Sequence, residues 1–201
     1  MAKPTLNPGG EACEQAVSRL LRGVIVPTLL GMEAPYASPE AAALLAATAW
    51  TESLCHHRDQ VELVNGKLVP GRPGPAYSLY QIEMPTWRKM TDPGGPEEWQ
   101  GWREQLEPWG LLPWAGANPG MMLTCSEVGA TIAARGLYWS DYWSRKRKLP
   151  GLVAFGDAAC DYYEGTWRPA KAARPEGRKR FRAAWPVAVD VVRRAWPVAG
   201  A

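Results

Sequence analysis

A mainly α fold with one small β-hairpin is what this sequence predicts, on three observations. Apolar residues recur at helical spacing over several stretches, and capping residues and prolines stand where those stretches begin and end. One segment, Val61-Glu62-Leu63-Val64-Asn65-Gly66-Lys67-Leu68-Val69, sets an Asn-Gly turn between short apolar runs, which is a hairpin signal. With 201 residues, 46% of them hydrophobic, the chain can bury a full core without disulfides, so a single domain over 1–201 is expected.

Taken in order, Pro4 to Gly10 reads as a lead, and a helix follows from Glu11 to about Leu30 with Ala16, Leu20, Val24 and Ile25 inward. Ser38-Pro39 opens the next helix: serine accepts a hydrogen bond from an orphan amide, and proline at the first helical position has no N–H to waste. That helix carries Ala46-Ala47-Thr48-Ala49-Trp50-Thr51-Glu52-Ser53, and the hairpin comes after it. Pro93-Gly94-Gly95-Pro96 breaks the chain ahead of a stretch holding Trp99, Trp102, Trp109 and Trp114. A long helix is expected from Thr124 to about Trp143, with Val128, Ile132 and Leu137 in its pattern, ending at Arg145-Lys146-Arg147-Lys148 and Pro150. That basic run suits either the helix dipole and solvent or a polyanion. A shorter helix from Leu152 to Tyr163 would bring Tyr162 to its end. A last helix, Pro175 to Trp196, turns Phe181, Trp185, Val189 and Val192 to the core, and Pro186 inside it predicts a kink or a split.

Composition excludes several function classes. The apolar runs Gly23 to Met32 and Ala41 to Ala49 are too short to span a bilayer, and the first residues lack a secretory pattern, so a soluble chain made in a cytoplasm without signal peptide is expected. A net charge of +3 is too small to drive phosphate neutralisation, which argues against a nucleic-acid partner despite the basic stretch Arg174 to Arg182. Cys13, Cys55, Cys125 and Cys160 have no metal-ligand spacing, and the neighbours Cys55-His56-His57 point in different directions, so neither metal nor cofactor is expected.

Glu52 is the residue that carries chemistry. Counted back by helical steps, Thr48 and Leu45 share its side of the helix, and Leu44 and Ala49 lie close by, so that face should be mostly buried. Burial penalises a charged carboxyl and raises its pKa, which is what a general acid donating to a leaving oxygen requires. Downstream lies Gly74-Pro75-Ala76-Tyr77-Ser78-Leu79-Tyr80-Gln81-Ile82-Glu83-Met84-Pro85-Thr86-Trp87. Together Glu52-Ser53 and Ser78-Leu79-Tyr80-Gln81 resemble the Glu-Ser and Gly-Leu-Met-Gln motifs of lysozyme-like lytic transglycosylases and goose-type lysozymes, which cleave peptidoglycan strands. Ser78 stands where that superfamily has glycine. Its late Tyr-Asn-Ala-Gly block is similar to Tyr162-Tyr163-Glu164-Gly165 in the tyrosine and glycine only. His57-Arg58-Asp59-Gln60, Gly74-Pro75-Ala76, Gln81-Ile82-Glu83 and Trp167-Arg168-Pro169-Ala170 fall in the order found in phage-encoded members. The resemblance covers a core of about residues 38–170 and leaves 171–201 as a C-terminal helical extension.

What the resemblance implies is a lysozyme-like α+β fold with the hairpin beside an active-site cleft. Glu52 would protonate the oxygen linking N-acetylmuramic acid to N-acetylglucosamine, the substrate acetamide would share the charge at C1, and the carboxylate would then deprotonate the C6 hydroxyl, leaving a 1,6-anhydro end. Gln81 and the backbone from Ser78 to Tyr80 would line the groove and bind the N-acetyl groups, and Tyr162 would orient Glu52 through its hydroxyl. Glu83 suits holding a water in a hydrolytic, goose-type variant, or else the dipole of a helix starting near Pro85. Eleven tryptophans invite a sugar-stacking role, with Trp87 the best placed. The implied partners are peptidoglycan glycan strands and other phage virion proteins, and the implied place of action is the periplasm or cell wall, reached from a virion. A scaffold that has kept the fold without the activity is the competing class.

Overall fold

The computed structural model describes residues 11–32, 36–55, 59–64, 67–91, 102, 104–154, 156–167 and 174–197. Helix α1 (Glu11–Leu20) passes through a π-helical turn, Leu21–Ile25, into α2 (Val26–Leu30). Ala16, Leu20 and Ile25 are buried as expected and Val24 is half-buried, while the π turn is a feature that a 3.6-residue reading does not contain. The lead before Glu11, His56 to Arg58, Asn65-Gly66, Trp99 and Arg168 to Ala170 lie outside the described residues.

At the centre stands α3 (Pro39–Ser53), with twelve of its residues buried, so that it has no solvent face. Ser38 caps it as predicted, its hydroxyl accepting from the Ala41 amide at 3.1 Å. Alanine at Ala41, Ala42, Ala43, Ala46, Ala47 and Ala49 lets neighbours approach from every side. The helix ends where Leu54 and Cys55 take positive φ, 54° and 57°. Strands β1 (Asp59–Val64) and β2 (Lys67–Tyr77) pair antiparallel, Val64 opposite Lys67, in the hairpin the sequence predicts. A third strand, β3 (Ile82–Glu83), pairs with the end of β2 and was not expected; it anchors the segment that carries Gln81.

After α4 (Met84–Thr91) and a 3₁₀ turn at Glu104–Trp109 come α5 (Leu112–Ala117), α6 (Pro119–Cys125) and α7 (Glu127–Arg145). The helix expected from Thr124 is thus two helices. Ser126 leaves the helical region and caps α7, its Oγ accepting from Gly129 N at 2.9 Å. Helix α8 (Gly156–Trp167) starts four residues later than predicted and continues past Tyr163, so Tyr162 lies within it and not at its end.

Helix α9 (Arg174–Ala195) corrects one expectation and meets another. It runs unbroken through Pro186, whose side chain faces solvent while Ala184, Trp185, Ala188 and Val189 on either side are buried. Packing of that face outweighs the lost hydrogen bond. As expected, Phe181, Trp185, Val189 and Val192 face the core: α9 lies along α3, and Phe181, stacked between Tyr163 and Trp185, is fully buried. Replacing Pro186 by Ala returns an amide donor to an exposed helical position and is expected to stabilise the fold by roughly 1–3 kcal/mol. Thermal unfolding checks this, and a lower melting temperature for Pro186→Ala would mean that the ring is needed.

Candidate active site

The carboxyl of Glu52 is half-buried at the last turn of α3, where the negative end of the helix dipole and a dry surround both disfavour ionisation. Its pKa is raised to about 7, mainly by burial, against the opposing pull of a hydrogen bond from Tyr163 and of the Arg180 charge. Tyr163 on α8 donates its hydroxyl to Glu52 Oε1 at 2.5 Å, and burial beside this acid pushes the phenol far above its usual pKa, so it remains a donor. Behind the acid, Thr48 shares a 2.5 Å hydrogen bond with Tyr138. On the α9 side Gly177 lies near the pair: a Cβ there would sit 3.8 Å from both the Tyr163 hydroxyl and Thr51 Cγ2.

Ser53, the second residue of the Glu-Ser pair, donates its hydroxyl to Leu79 O at 2.8 Å and Ala49 O at 3.0 Å. The end of α3 is thereby tied to the 78–81 loop. Trp167 ties the same loop from α8 by donating its indole N–H to Tyr80 O at 3.0 Å. Ser78 and Gln81 hold positive φ, 74° and 51°, and Gln81 Nε2 donates to Ser78 O at 2.9 Å. Where the resembling superfamily has glycine, this chain accepts the left-handed region with a serine, whose Oγ in turn accepts from Tyr80 N at 3.2 Å.

Several predicted site residues are placed otherwise than expected. Tyr162 does not orient Glu52: its hydroxyl donates to Arg147 O at 3.2 Å, and the neighbouring Tyr163 takes the role. Adjacent helical residues point about 100° apart, so one of the pair can face α3 and the other cannot. Ser78 and Tyr80, 1% and 0% exposed, turn their side chains into the protein, Tyr80 to within 3.2 Å of the Thr131 hydroxyl. The groove expectation rests on their backbone instead, where the carbonyls of Ser78, Leu79 and Tyr80 accept from Gln81 Nε2, the Ser53 hydroxyl and the Trp167 indole. Trp87 is 1% exposed and donates to Ala115 O at 3.2 Å, so it is a core residue and not a sugar platform. Cys13, Cys55 and Cys160 are buried, whereas Cys125 is exposed.

Gln81 and Glu83 do meet, on a cavity of about 270 Å³ that Thr86, Leu137, Thr166 and Trp167 also line. Glu83 is exposed there. Glu52 is not on this lining. Its connection to the cavity runs along α8, where Trp167 follows Tyr163 by one turn, and through the Ser53–Leu79 bond. Tyr163, Thr166, Trp167 and Arg180 are the site residues that sequence reasoning missed. The doubled tyrosine at 162–163 and the i, i+4 spacing of Tyr163 and Trp167 were the available signals.

No protein-family model matches this chain, and neither curated proteins nor solved structures include a match. Among the described residues no helix is long and apolar enough to cross a membrane.

The raised carboxyl has a thermodynamic consequence. Between the ordinary 4.5 and about 7 the folded protein holds a proton on Glu52 that the unfolded chain releases, so this group's contribution falls as pH rises through that window. Glu52→Gln removes the penalty. Relative to wild type it is expected to be near neutral in stability at pH 4 and stabilising by on the order of 3 kcal/mol at pH 8. Denaturant unfolding at both pH values checks this, and a pH-independent difference would contradict it.

Proposed function

We propose that this chain is a lysozyme-like peptidoglycan glycosidase of the lytic transglycosylase type, cleaving the β-1,4 bond between N-acetylmuramic acid and N-acetylglucosamine. The observation that carries this reading is the Glu52 carboxyl, held by Tyr163 and raised to about 7. A group titrating there is protonated often enough to donate to the glycosidic oxygen and basic enough, once ionised, to take a proton back. In the proposed cycle the Glu52 proton goes to the leaving oxygen, and the acetamide oxygen of the substrate closes on C1. The C6 hydroxyl then displaces it and returns its proton to Glu52, so that one carboxyl serves both steps and the product ends in a 1,6-anhydro ring. Tyr163 steadies the carboxylate between the two transfers.

The mainly helical body, with a small sheet directly after the acid-bearing helix, supports the lysozyme-like assignment, as do the Ser53–Leu79 and Trp167–Tyr80 ties. In this reading the cavity beside Gln81 receives a sugar ring or its acetamido group, which its mixture of Gln81, Glu83 and Thr166 with Leu137 and Trp167 suits. The resemblance to phage-encoded members extends the proposal to a virion-borne enzyme acting on the glycan strands of a host wall.

Glu83 favours a second reading. Exposed on the cavity beside Gln81, it is placed to hold a water, which would make the enzyme a hydrolase of the goose type.

Zymography on peptidoglycan is expected to show clearing by the wild type and a loss on the order of 10²–10⁴-fold in Glu52→Gln. The rate should fall as pH rises above about 7, where the acid is deprotonated. Absence of clearing by either protein would support a virion scaffold instead. Mass spectrometry of the digest separates the two enzymatic readings: anhydro ends that persist in Glu83→Gln mark the transglycosylase, and reducing ends lost in Glu83→Gln mark the hydrolase.

A further inference from the structure

The basic run after α7 has a use that neither of its sequence readings contains. Arg147 lies across one patch of α8. Its guanidinium carbon stands 4.5 Å from the centre of the Tyr162 ring, its Nη2 donates to Asp161 O at 3.3 Å, and its own carbonyl accepts from the Tyr162 hydroxyl at 3.2 Å. Gly165 leaves the space it occupies: a Cβ at that position would fall 2.2 Å from Arg147 Nη1 and 3.0 Å from Cζ. From α9, Arg178 grips the same helix through Asp161 at 2.8 Å and Glu164 at 2.7 Å.

We propose that Arg147 is a positioning residue: seated on Tyr162 and Gly165, it locks the rotation of α8 about its axis and so delivers the Tyr163 hydroxyl to Glu52. The lever is long. A tyrosine hydroxyl stands roughly 9 Å from its helix axis, so a 10° rotation moves it on the order of 1.5 Å, enough to break a hydrogen bond. Tyr162 and Tyr163 are adjacent, and without a fixed phase nothing in the local sequence selects which of them faces α3. Gly165 leaves the guanidinium its seat inside a helix, where glycine costs about 1 kcal/mol against alanine. The lock also explains why Tyr162 is buried although its hydroxyl does no work on the acid. This inference rests on the Tyr163–Glu52 contact of the proposed site, not on any activity of that site.

The test is a carbon-13 titration of the Glu52 side-chain carboxyl in the full chain without substrate. The groups that face this carboxyl are Tyr163 on α8, Arg180 on α9 and Tyr138 on α7. Because the Tyr163 hydrogen bond lowers the Glu52 midpoint, unlocking α8 is expected to raise it, by roughly half a pH unit or more, toward the value in Tyr163→Phe. Arg147→Ala should do so, and Arg147→Lys should follow it, since lysine keeps the charge but cannot lie flat in the glycine space. Gly165→Ala displaces the guanidinium with no change of charge and should give the same rise, which keeps the test decisive if Arg147→Ala does not fold. Added to Tyr163→Phe, Arg147→Ala should change nothing further. Midpoints equal to wild type in the folded variants would overturn the proposal, as would a rise that persists in the Tyr163→Phe background and so reports only a lost charge. Inactivity on peptidoglycan would touch the proposed function and leave this result standing.

Discussion

One hydrogen bond organises this molecule, from the Tyr163 hydroxyl to the Glu52 carboxyl, made in a seat from which most water is excluded. Each partner is expensive to place there alone. A half-buried carboxyl at the negative end of a helix resists ionisation, and a phenol buried beside it would be unsatisfied without an acceptor. Together they form a pair in which the acid keeps its proton to near neutrality and stays oriented when the proton leaves. Helix α3 brings the acid, α8 brings the tyrosine, and α9 closes the third side with Phe181 stacked on Tyr163 at 4.9 Å.

Around this pair the backbone takes conformations that a freely chosen loop would avoid. Leu54, Cys55, Ser78 and Gln81 all have positive φ, two at the end of the acid-bearing helix and two in the loop tied to it. Such positions cost on the order of 1 kcal/mol each and persist where surrounding contacts over-determine them. Here Ser53 and Trp167 take the carbonyls of Leu79 and Tyr80, and β3 pins the residues that follow. The strain therefore accompanies a rigid junction between acid and loop, which the proposed reaction, dependent on one placed proton, would require.

Much of this was legible from the chain. Ser38-Pro39 marked the start of α3, Thr48, Leu45, Leu44 and Ala49 placed Glu52 on a buried face, and the pairs flanking Asn65-Gly66 gave the hairpin, because each rests on local physics that context does not easily override. What failed was phase. The spacing to Gly165 puts Tyr162 at the tyrosine of the resembling block, but a motif does not fix rotation about a helix axis, which depends on tertiary contacts, and it is Tyr163 that reaches Glu52. Pro186 misled for a related reason: its local penalty was read correctly, but the buried face on either side of it outweighs that penalty. Trp87 illustrates the same limit, since an abundance of tryptophan does not say which way any one of them points.

All of this turns on a proton held by one side chain, and titration of that side chain in the unaltered protein reads it without an intermediary. Followed by its carbon-13 shift from pH 3 to pH 9, the Glu52 carboxyl is expected to show a single transition centred near 7, with the acid still largely protonated at pH 6. A midpoint at the ordinary 4.5 would show a carboxyl that meets water as freely as any surface glutamate, and its burial beside Tyr163 would then do nothing to hold a proton there.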